Sequence, residues 1–155
     1  MALQKHLKRL DRVWIEPPIF FVTICASERR PTLANRQTYE ILRAHLGVAA
    51  ERTGWRVGRF VVMPDHVHLF CVGDGTQTAK PLSRFIAGFK QWSAKALIGA
   101  LGFAAPVWQK QFFDHLLRSG ESYEGKWRYV VENPVRAGLV RNAEDWPYAG
   151  ELAQL

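Results

Sequence analysis

Two histidines near the middle of the chain have the spacing of a half-built metal site. His66 and His68 lie in the stretch Val61–Phe70, where two apolar runs flank a Pro64-Asp65 step. This pattern predicts a strand, a tight turn and a second strand. Because side chains alternate between the faces of a strand, both imidazoles point to one side, where they could hold one ion. The same spacing also fits two histidines that merely occupy a polar strand face.

A second group of chemical interest lies on a predicted helix near the C-terminus. The helix begins after Ser119 or Ser122 and runs to about Asn133, where Pro134 should end it because the residue before a proline resists helical geometry. Its core-facing stripe, taken at about 100° per residue, contains Tyr123, Trp127, Val130 and Val131.

Tyr129 lies about 145° from the centre of that stripe on the same helical wheel, so packing does not require it. Asn133 follows one turn later and would be its neighbour on the helix surface. A phenol can be a covalent nucleophile, but because its pKa is near 10 its attack must be assisted. A nearby divalent ion would assist the attack by polarising and orienting a phosphate. Alternatively, Tyr129 is an ordinary exposed tyrosine and Asn133 is selected for the turn before Pro134.

Composition limits the class of protein. The 155 residues are 48% hydrophobic and 23% charged, which predicts one folded domain over residues 1–155. The net charge of +7 and the pI near 9.8 favour a polyanionic partner such as nucleic acid, although many basic proteins bind none. Residues 1–18 form a basic arm and residues 134–155 an irregular tail. Cys25 and Cys71 are expected to be buried free thiols.

The N-terminus has no apolar core of a secretory signal, and no uncharged run is long enough to span a bilayer. We therefore expect a cytoplasmic protein with no membrane contact.

Alternation and helical periodicity predict an α+β fold. The expected strands are residues 19–26, 55–63, 66–72 and about 112–117, and the expected helices are 38–52 and 82–101. The order β-α-β-β-α-β is the ferredoxin-like split βαβ arrangement, an antiparallel sheet with helices on one face. The helix after residue 119 is extra, and the open face of such a sheet can bind single-stranded nucleic acid.

Several motifs occur together in an order typical of one family. They are Val62-Met63-Pro64-Asp65-His66-Val67-His68-Leu69, Trp108-Gln109, Phe113-Asp114-His115 with Arg118, the run Arg128-Tyr129-Val130-Val131-Glu132-Asn133-Pro134-Val135-Arg136-Ala137-Gly138-Leu139-Val140, and Asp145-Trp146-Pro147. From about Phe20 to Tyr148 the chain resembles the REP-associated tyrosine transposases. These are relatives of the single-strand insertion-sequence transposases in the HUH endonuclease superfamily.

The resemblance implies a role for each candidate residue. His66 and His68 match the histidines that hold Mg²⁺ or Mn²⁺, and Tyr129 matches the catalytic tyrosine. Asn133 stands where the family places its third metal ligand, usually Gln in the insertion-sequence relatives. Asp65 replaces the Asn often found before the first histidine.

The implied reaction is cleavage and rejoining of single-stranded DNA through a 5′-phosphotyrosine intermediate. The implied partner is a DNA hairpin formed by a repetitive extragenic palindrome, bound by a monomer or a homodimer. The residues expected to contact DNA are Arg12, Lys90, Trp92, Arg118 and Arg136.

Two other functions remain open at this point. The same fold could be a nucleic-acid-binding module without catalysis, which would bind hairpins but form no covalent adduct. A zinc hydrolase is a third class, although zinc sites usually have more His, Cys or carboxylate ligands at recognisable spacing. Asp114 and His115 could join such a site from the fourth strand.

Overall fold

The computed structural model describes residues 18–74, 80–118 and 122–155. The elements are β1 (Phe20–Cys25), α1 (Arg36–Thr53), β2 (Trp55–Val62), β3 (His66–Gly73), α2 (Leu82–Leu101), β4 (Phe113–Leu116), α3 (Tyr123–Val131), α4 (Asn133–Arg136) and β5 (Ala149–Glu151). The five strands form one antiparallel sheet in the order β4-β1-β3-β2-β5. The predicted β-α-β-β-α-β order and the α+β class are confirmed.

The two faces of β3 enter two separate cores. Val67 and Leu69 belong to the larger core, which α1 and α2 cover. Phe70 points the other way and packs in a smaller core with Val130 of α3. The two helices of the split βαβ arrangement, α1 and α2, lie on one face as predicted, and the extra helix α3 covers a second apolar patch on the opposite face.

Helix α1 begins two residues before and ends one residue after the predicted range of 38–52. The Asn35 side chain accepts a hydrogen bond from the Thr38 N–H at 2.9 Å, which caps the first turn. Gly54 follows the last helical residue at φ 75°, a left-handed conformation that glycine adopts without a side-chain clash. The chain can then turn directly into β2.

The C-terminal segment differs from the prediction in two respects. Ser122 caps α3 as expected, but the helix ends at Val131 rather than at Asn133. Pro134 lies in the first turn of the short helix α4, where the missing N–H of a proline has no helical partner to lose. The tail was also expected to be irregular. Instead, Ala149–Glu151 pairs with β2, which extends the sheet by one strand.

The two cysteines are buried and unpaired, as predicted. Burial raises the pKa of the Cys71 thiol well above its usual value, so this thiol stays protonated and inert. In the described part of the chain, no helix combines the length and apolar character needed to cross a membrane.

Helix α3 is anchored to β2 through one close approach. The Tyr123 hydroxyl accepts a hydrogen bond from the Arg59 N–H at 2.9 Å. The hydroxyl fits there because Gly58 has no side chain: a Cβ at Gly58 would lie 2.6 Å from the Tyr123 oxygen. Arg59 adds an ion pair with Glu124 at 2.7 Å, so the start of α3 is fixed by both polar and steric contacts.

We expect Gly58→Ala to lower the free energy of unfolding by about 1–3 kcal/mol, because the added methyl displaces Tyr123 and Leu155. Chemical denaturation measures the loss. Gly47→Ala is the matched control, since a Cβ at Gly47 meets nothing within 4 Å and alanine favours a helix. Equal stability of the two variants would contradict the predicted role of Gly58.

Candidate metal centre and nucleophile

The two histidines converge on one point of the sheet face that α3 covers. Their side chains share the face of Phe70, since all three residues alternate along β3. The two Nε2 atoms lie 3.1 Å apart, and the rings meet edge to face with centroids separated by 4.5 Å. A single atom placed between the rings could therefore contact both Nε2 nitrogens.

The other nitrogen of each ring has its own partner. His66 Nδ1 lies 2.8 Å from the Asp65 carboxylate, and His68 Nδ1 lies 2.8 Å from the Thr23 hydroxyl. When each Nδ1–H donates to its oxygen, both Nε2 atoms present lone pairs to the same space. Burial lowers the pKa of His66 and lowers that of His68 to about 3, so both rings are neutral at physiological pH. Neutral imidazole is the form that binds metals.

The separation of the nitrogens fits a divalent ion. Two neighbouring ligands of an octahedral ion held at about 2.1 Å lie about 3.0 Å apart, close to the 3.1 Å observed here. Imidazole nitrogen is a softer ligand than oxygen, so Mn²⁺ should bind more tightly than Mg²⁺. No cluster of three or more His, Cys, Asp or Glu occurs among the described residues, so further ligands must come from other groups.

The Asp65 carboxylate is held in place by Arg29, which binds the oxygen that does not face His66. The Arg29 Nε donates to Asp65 Oδ2 at 2.9 Å, while Oδ1 faces His66. Arg29 and its neighbour Glu28 have positive φ angles of 52° and 55°, a region that non-glycine residues seldom occupy. These two hydrogen bonds lower the pKa of the Asp65 carboxyl despite the opposing effect of burial. The carboxylate is thus oriented toward the ring that it supports.

We expect Asp65→Ala to weaken Mn²⁺ binding by about 10- to 100-fold, because His66 loses the acceptor that orients its ring. Titration calorimetry with Mn²⁺ measures the change. Asp114→Ala provides a control with the same change of charge, since Asp114 pairs with Val22 and therefore lies on the opposite face of the sheet. Unchanged Mn²⁺ affinity in Asp65→Ala would contradict this role of the carboxylate.

Helix α3 lies over the histidine face. Tyr123 contacts Phe70, with ring centroids 4.9 Å apart. One turn further on, the Lys126 ammonium lies 5.1 Å from the centroid of the Phe21 ring, which stacks on His68 at 5.0 Å. The positive charge of Lys126 contributes to the low pKa of His68, although burial is the larger cause.

The helix runs toward the end of the sheet that carries the histidines. Val130 is buried in one cluster with Val61 and Met63. Val61 pairs with His68, and the Met63 N–H donates to the His66 carbonyl. Tyr129 precedes Val130 and is 62% exposed, as its position on the helical wheel predicted. The exposed phenol thus lies on a helix that crosses the histidine face.

Arg136 connects the two predicted residues of the C-terminal segment. Its guanidinium carbon lies 4.0 Å from the centroid of the Tyr129 ring. Its Nη2 donates to the Tyr129 carbonyl at 2.7 Å and also to Asn133 Oδ1. The amide oxygen expected to bind the metal is therefore engaged by Arg136, while the guanidinium covers the phenol ring.

Comparison with known proteins identifies the family. A family model described as "Transposase IS200 like" matches residues 19–125, which is 107 of the 155 residues. The chain belongs to the IS200-like transposase family. This IS200-like chain is also 27% identical over 139 residues to a REP-associated tyrosine transposase of Escherichia coli K12. That alignment covers 89% of the chain and 79% of the relative.

A solved structure has the same fold. It shows a REP-associated tyrosine transposase bound to a REP hairpin, and it superimposes with a TM-score of 0.68 at 23% identity. The match covers 87% of this IS200-like chain and 77% of the other. The resemblance predicted from the motifs is confirmed by these matches.

The predicted DNA-contacting residues of this transposase-family chain lie on separate surfaces. Arg136 lies at Tyr129, and Arg118 is exposed just after β4. Trp92 is 43% exposed on α2, in the helical layer away from the histidines. The Lys90 ammonium donates to the carbonyls of Gln109, Lys110 and Gln111, so its three N–H groups support the backbone. Arg12 lies outside the described residues.

Sequence reasoning named Phe113 within a family motif but gave it no role; the side chain is 63% exposed on β4. Phe113 pairs with Thr23, the residue that contacts His68, and so shares the histidine face. Among the described residues β4 is an edge strand with no strand beyond it, which helps to leave the Phe113 ring exposed. An exposed aromatic ring on the same sheet face as the two imidazoles is suited to stacking on a nucleobase.

Proposed function

We propose that this protein is a metal-dependent endonuclease and strand transferase that acts on single-stranded DNA at REP-type hairpins. The observation that carries the proposal is the convergence of His66 and His68 Nε2, 3.1 Å apart, on the face crossed by the helix of Tyr129. Family membership and the REP hairpin bound by the solved relative support the choice of substrate.

The ion, Mn²⁺ or Mg²⁺, would be held by His66 and His68. Asn133 would be the third protein ligand once its amide oxygen is released by Arg136. When bound, a divalent ion polarises a phosphodiester and orients it for in-line attack. Oxygen atoms of the DNA and of water would complete its coordination.

In the proposed reaction, the Tyr129 oxygen attacks the phosphorus of one phosphodiester and loses its proton. The bond from phosphorus to the 3′-oxygen breaks, and that oxygen takes up a proton to become a free 3′-hydroxyl. The DNA downstream of the cut remains joined to Tyr129 through its 5′-phosphate. A 3′-hydroxyl from another strand can reverse the step, which joins the strands and restores the phenol.

Arg136 has a second role in this proposal. A guanidinium binds phosphate oxygens in a planar, two-pronged geometry. Arg136 already lies 4.0 Å from the Tyr129 ring centroid, so an incoming phosphate at the phenol would meet it directly. If the Arg136 guanidinium moved from Asn133 to the phosphate, it would free the Asn133 amide oxygen for the ion. A base next to the cleaved bond would stack on Phe113.

A second candidate is a module that binds hairpins without cutting them. The bond between Arg136 and Asn133 favours it, because that contact occupies the expected third ligand. Both functions predict hairpin binding that weakens with salt. Only the cleaving enzyme forms a covalent adduct.

The test is incubation of the full chain with single-stranded palindromes from the flanks of its own gene, with Mn²⁺. We expect a denaturation-resistant adduct that retains a 3′-label and releases a 5′-labelled fragment ending in a 3′-hydroxyl. Chelation with EDTA should abolish it. Salt-dependent hairpin binding without an adduct under Mn²⁺ or Mg²⁺ would establish the binding-only function instead.

A further inference from the structure

A groove lies between α1 and α2, on the side of the sheet away from the histidines. Its volume is about 240 Å³, and its apolar lining comes from Val48, Ala49, Gly88 and Trp92. Three cationic residues, Arg52, Lys80 and Arg84, line the same groove, and none of its described lining residues is acidic. The groove therefore combines an apolar slot with a positively charged rim.

Trp92 is the most distinctive part of this surface. The indole is 43% exposed, although large aromatic side chains usually bury more of their surface. Two cations lie near its ring: Arg52 Cζ at 5.9 Å and Lys95 Nζ at 5.4 Å from the centroid. An exposed aromatic ring flanked by cations can stack on a base while the cations contact the adjoining phosphates.

The backbone at one end of the groove is firmly placed. The Lys80 N–H donates to the Thr53 carbonyl at 2.8 Å, and the Trp55 indole donates to the Lys80 carbonyl at 2.6 Å. Lys80 thus lines the groove from a fixed main chain, as does the exposed Arg52 of α1. The cationic rim is accordingly built from three separate elements of the fold.

We propose that this groove binds one unpaired nucleotide of the bound DNA, with its base on Trp92 and its phosphates between Arg52 and Arg84. A DNA strand fits better than an acidic peptide, because the slot between the cations is apolar and aromatic. The net charge of +7 also favours a polyanion. The inference rests on the proposed action on DNA and adds a contact on the face opposite Tyr129. The nucleotide held there is not the one that is cleaved.

The groove can be filled from within by a single substitution. Gly88 lines the groove, and a Cβ there meets nothing within 4 Å, so the side chain of Gly88→Leu starts in open space. Gly99→Leu is the matched control, because Gly99 lies on the same helix, does not line the groove and is equally unobstructed. Arg84→Gln tests the cationic rim without filling the slot.

The measurement is the affinity of the full chain for a fluorescent hairpin with a single-stranded flank and for the same hairpin without it. We expect Gly88→Leu and Arg84→Gln to weaken binding of the flanked hairpin by about 10-fold and to leave the blunt hairpin unchanged. Gly99→Leu should bind both hairpins like the wild type. Wild-type affinity of Gly88→Leu for the flanked hairpin, or an equal loss on both hairpins, would overturn the proposal.

Melting temperatures separate the remaining explanations. If Gly88→Leu lowers the melting temperature but leaves DNA affinity unchanged, the groove is covered by protein, which overturns the proposal. If Gly88→Leu folds poorly, the hairpin affinities of Arg84→Gln decide whether the groove binds DNA, because this substitution changes only an exposed side chain. The adduct assay is independent of these results: a wild type that forms no adduct refutes the cleavage function, while a flank-specific affinity loss still supports the groove.

Discussion

Replacement of Tyr129 by Phe is expected to abolish the covalent protein–DNA adduct and to leave hairpin binding intact. The phenolic oxygen is the proposed nucleophile, and phenylalanine keeps the ring while removing that one atom. The rate of adduct formation should fall by at least about 10⁴-fold, as it does when other enzymes lose a nucleophile. Because the side chain is 62% exposed, the free energy of unfolding should change little. Denaturing gels with 3′-labelled DNA measure the adduct, and anisotropy measures hairpin affinity.

Tyr123→Phe is the matched control for this experiment. Tyr123 also lies on α3, but its hydroxyl accepts the Arg59 N–H instead of facing solvent. Its loss should lower the free energy of unfolding by about 1 kcal/mol and preserve the adduct. An adduct that persists in Tyr129→Phe would show that another residue is the nucleophile.

Replacement of His68 by Ala is expected to remove both Mn²⁺ binding and adduct formation. The variant keeps only one of the two converging nitrogens and leaves the Thr23 hydroxyl without its ring partner. We expect Mn²⁺ affinity to fall by more than about 100-fold, since even supporting residues of metal sites change affinity by 10- to 100-fold. Calorimetry with Mn²⁺ measures binding, and the adduct assay measures its consequence.

His45→Ala is the control, because His45 lies on α1 in the opposite layer. It should bind Mn²⁺ like the wild type. Burial lowers the pKa of His66 below the usual 6.5 and that of His68 to about 3, so a change from pH 7 to pH 6 should weaken wild-type Mn²⁺ binding less than it would for two exposed histidines. Equal Mn²⁺ affinity of His68→Ala and wild type would refute the proposed metal site.

Local sequence patterns were sufficient to predict the strand and the helix that carry the residues of the candidate site. The alternation along β3 depends only on the period of an extended chain, and it correctly placed His66 and His68 on one face. Helical periodicity likewise predicted that Tyr129 would be exposed and Val130 buried. The β-α-β-β-α-β order followed from the same short-range signals.

The predictions from sequence were wrong where the local structure depends on contacts with residues far away in the chain. Strand β5 is only three residues long and forms because β2 offers it an unpaired edge. Pro134 was predicted to end a helix, but it begins α4 in a first turn that tolerates its missing N–H. The contact of Arg29 with Asp65 and the three carbonyl partners of Lys90 are likewise set by the fold, because these residues lie far apart in the chain.

The sequence by itself determined which residues could do chemistry and the face of the element on which each one lies, because strand and helix periods are local properties of the backbone. Only the tertiary structure decided that α3 crosses the histidine face and that α1 and α2 leave a cationic groove behind the sheet. These features depend on which apolar faces pack together, and that choice is made by contacts between residues far apart in the chain.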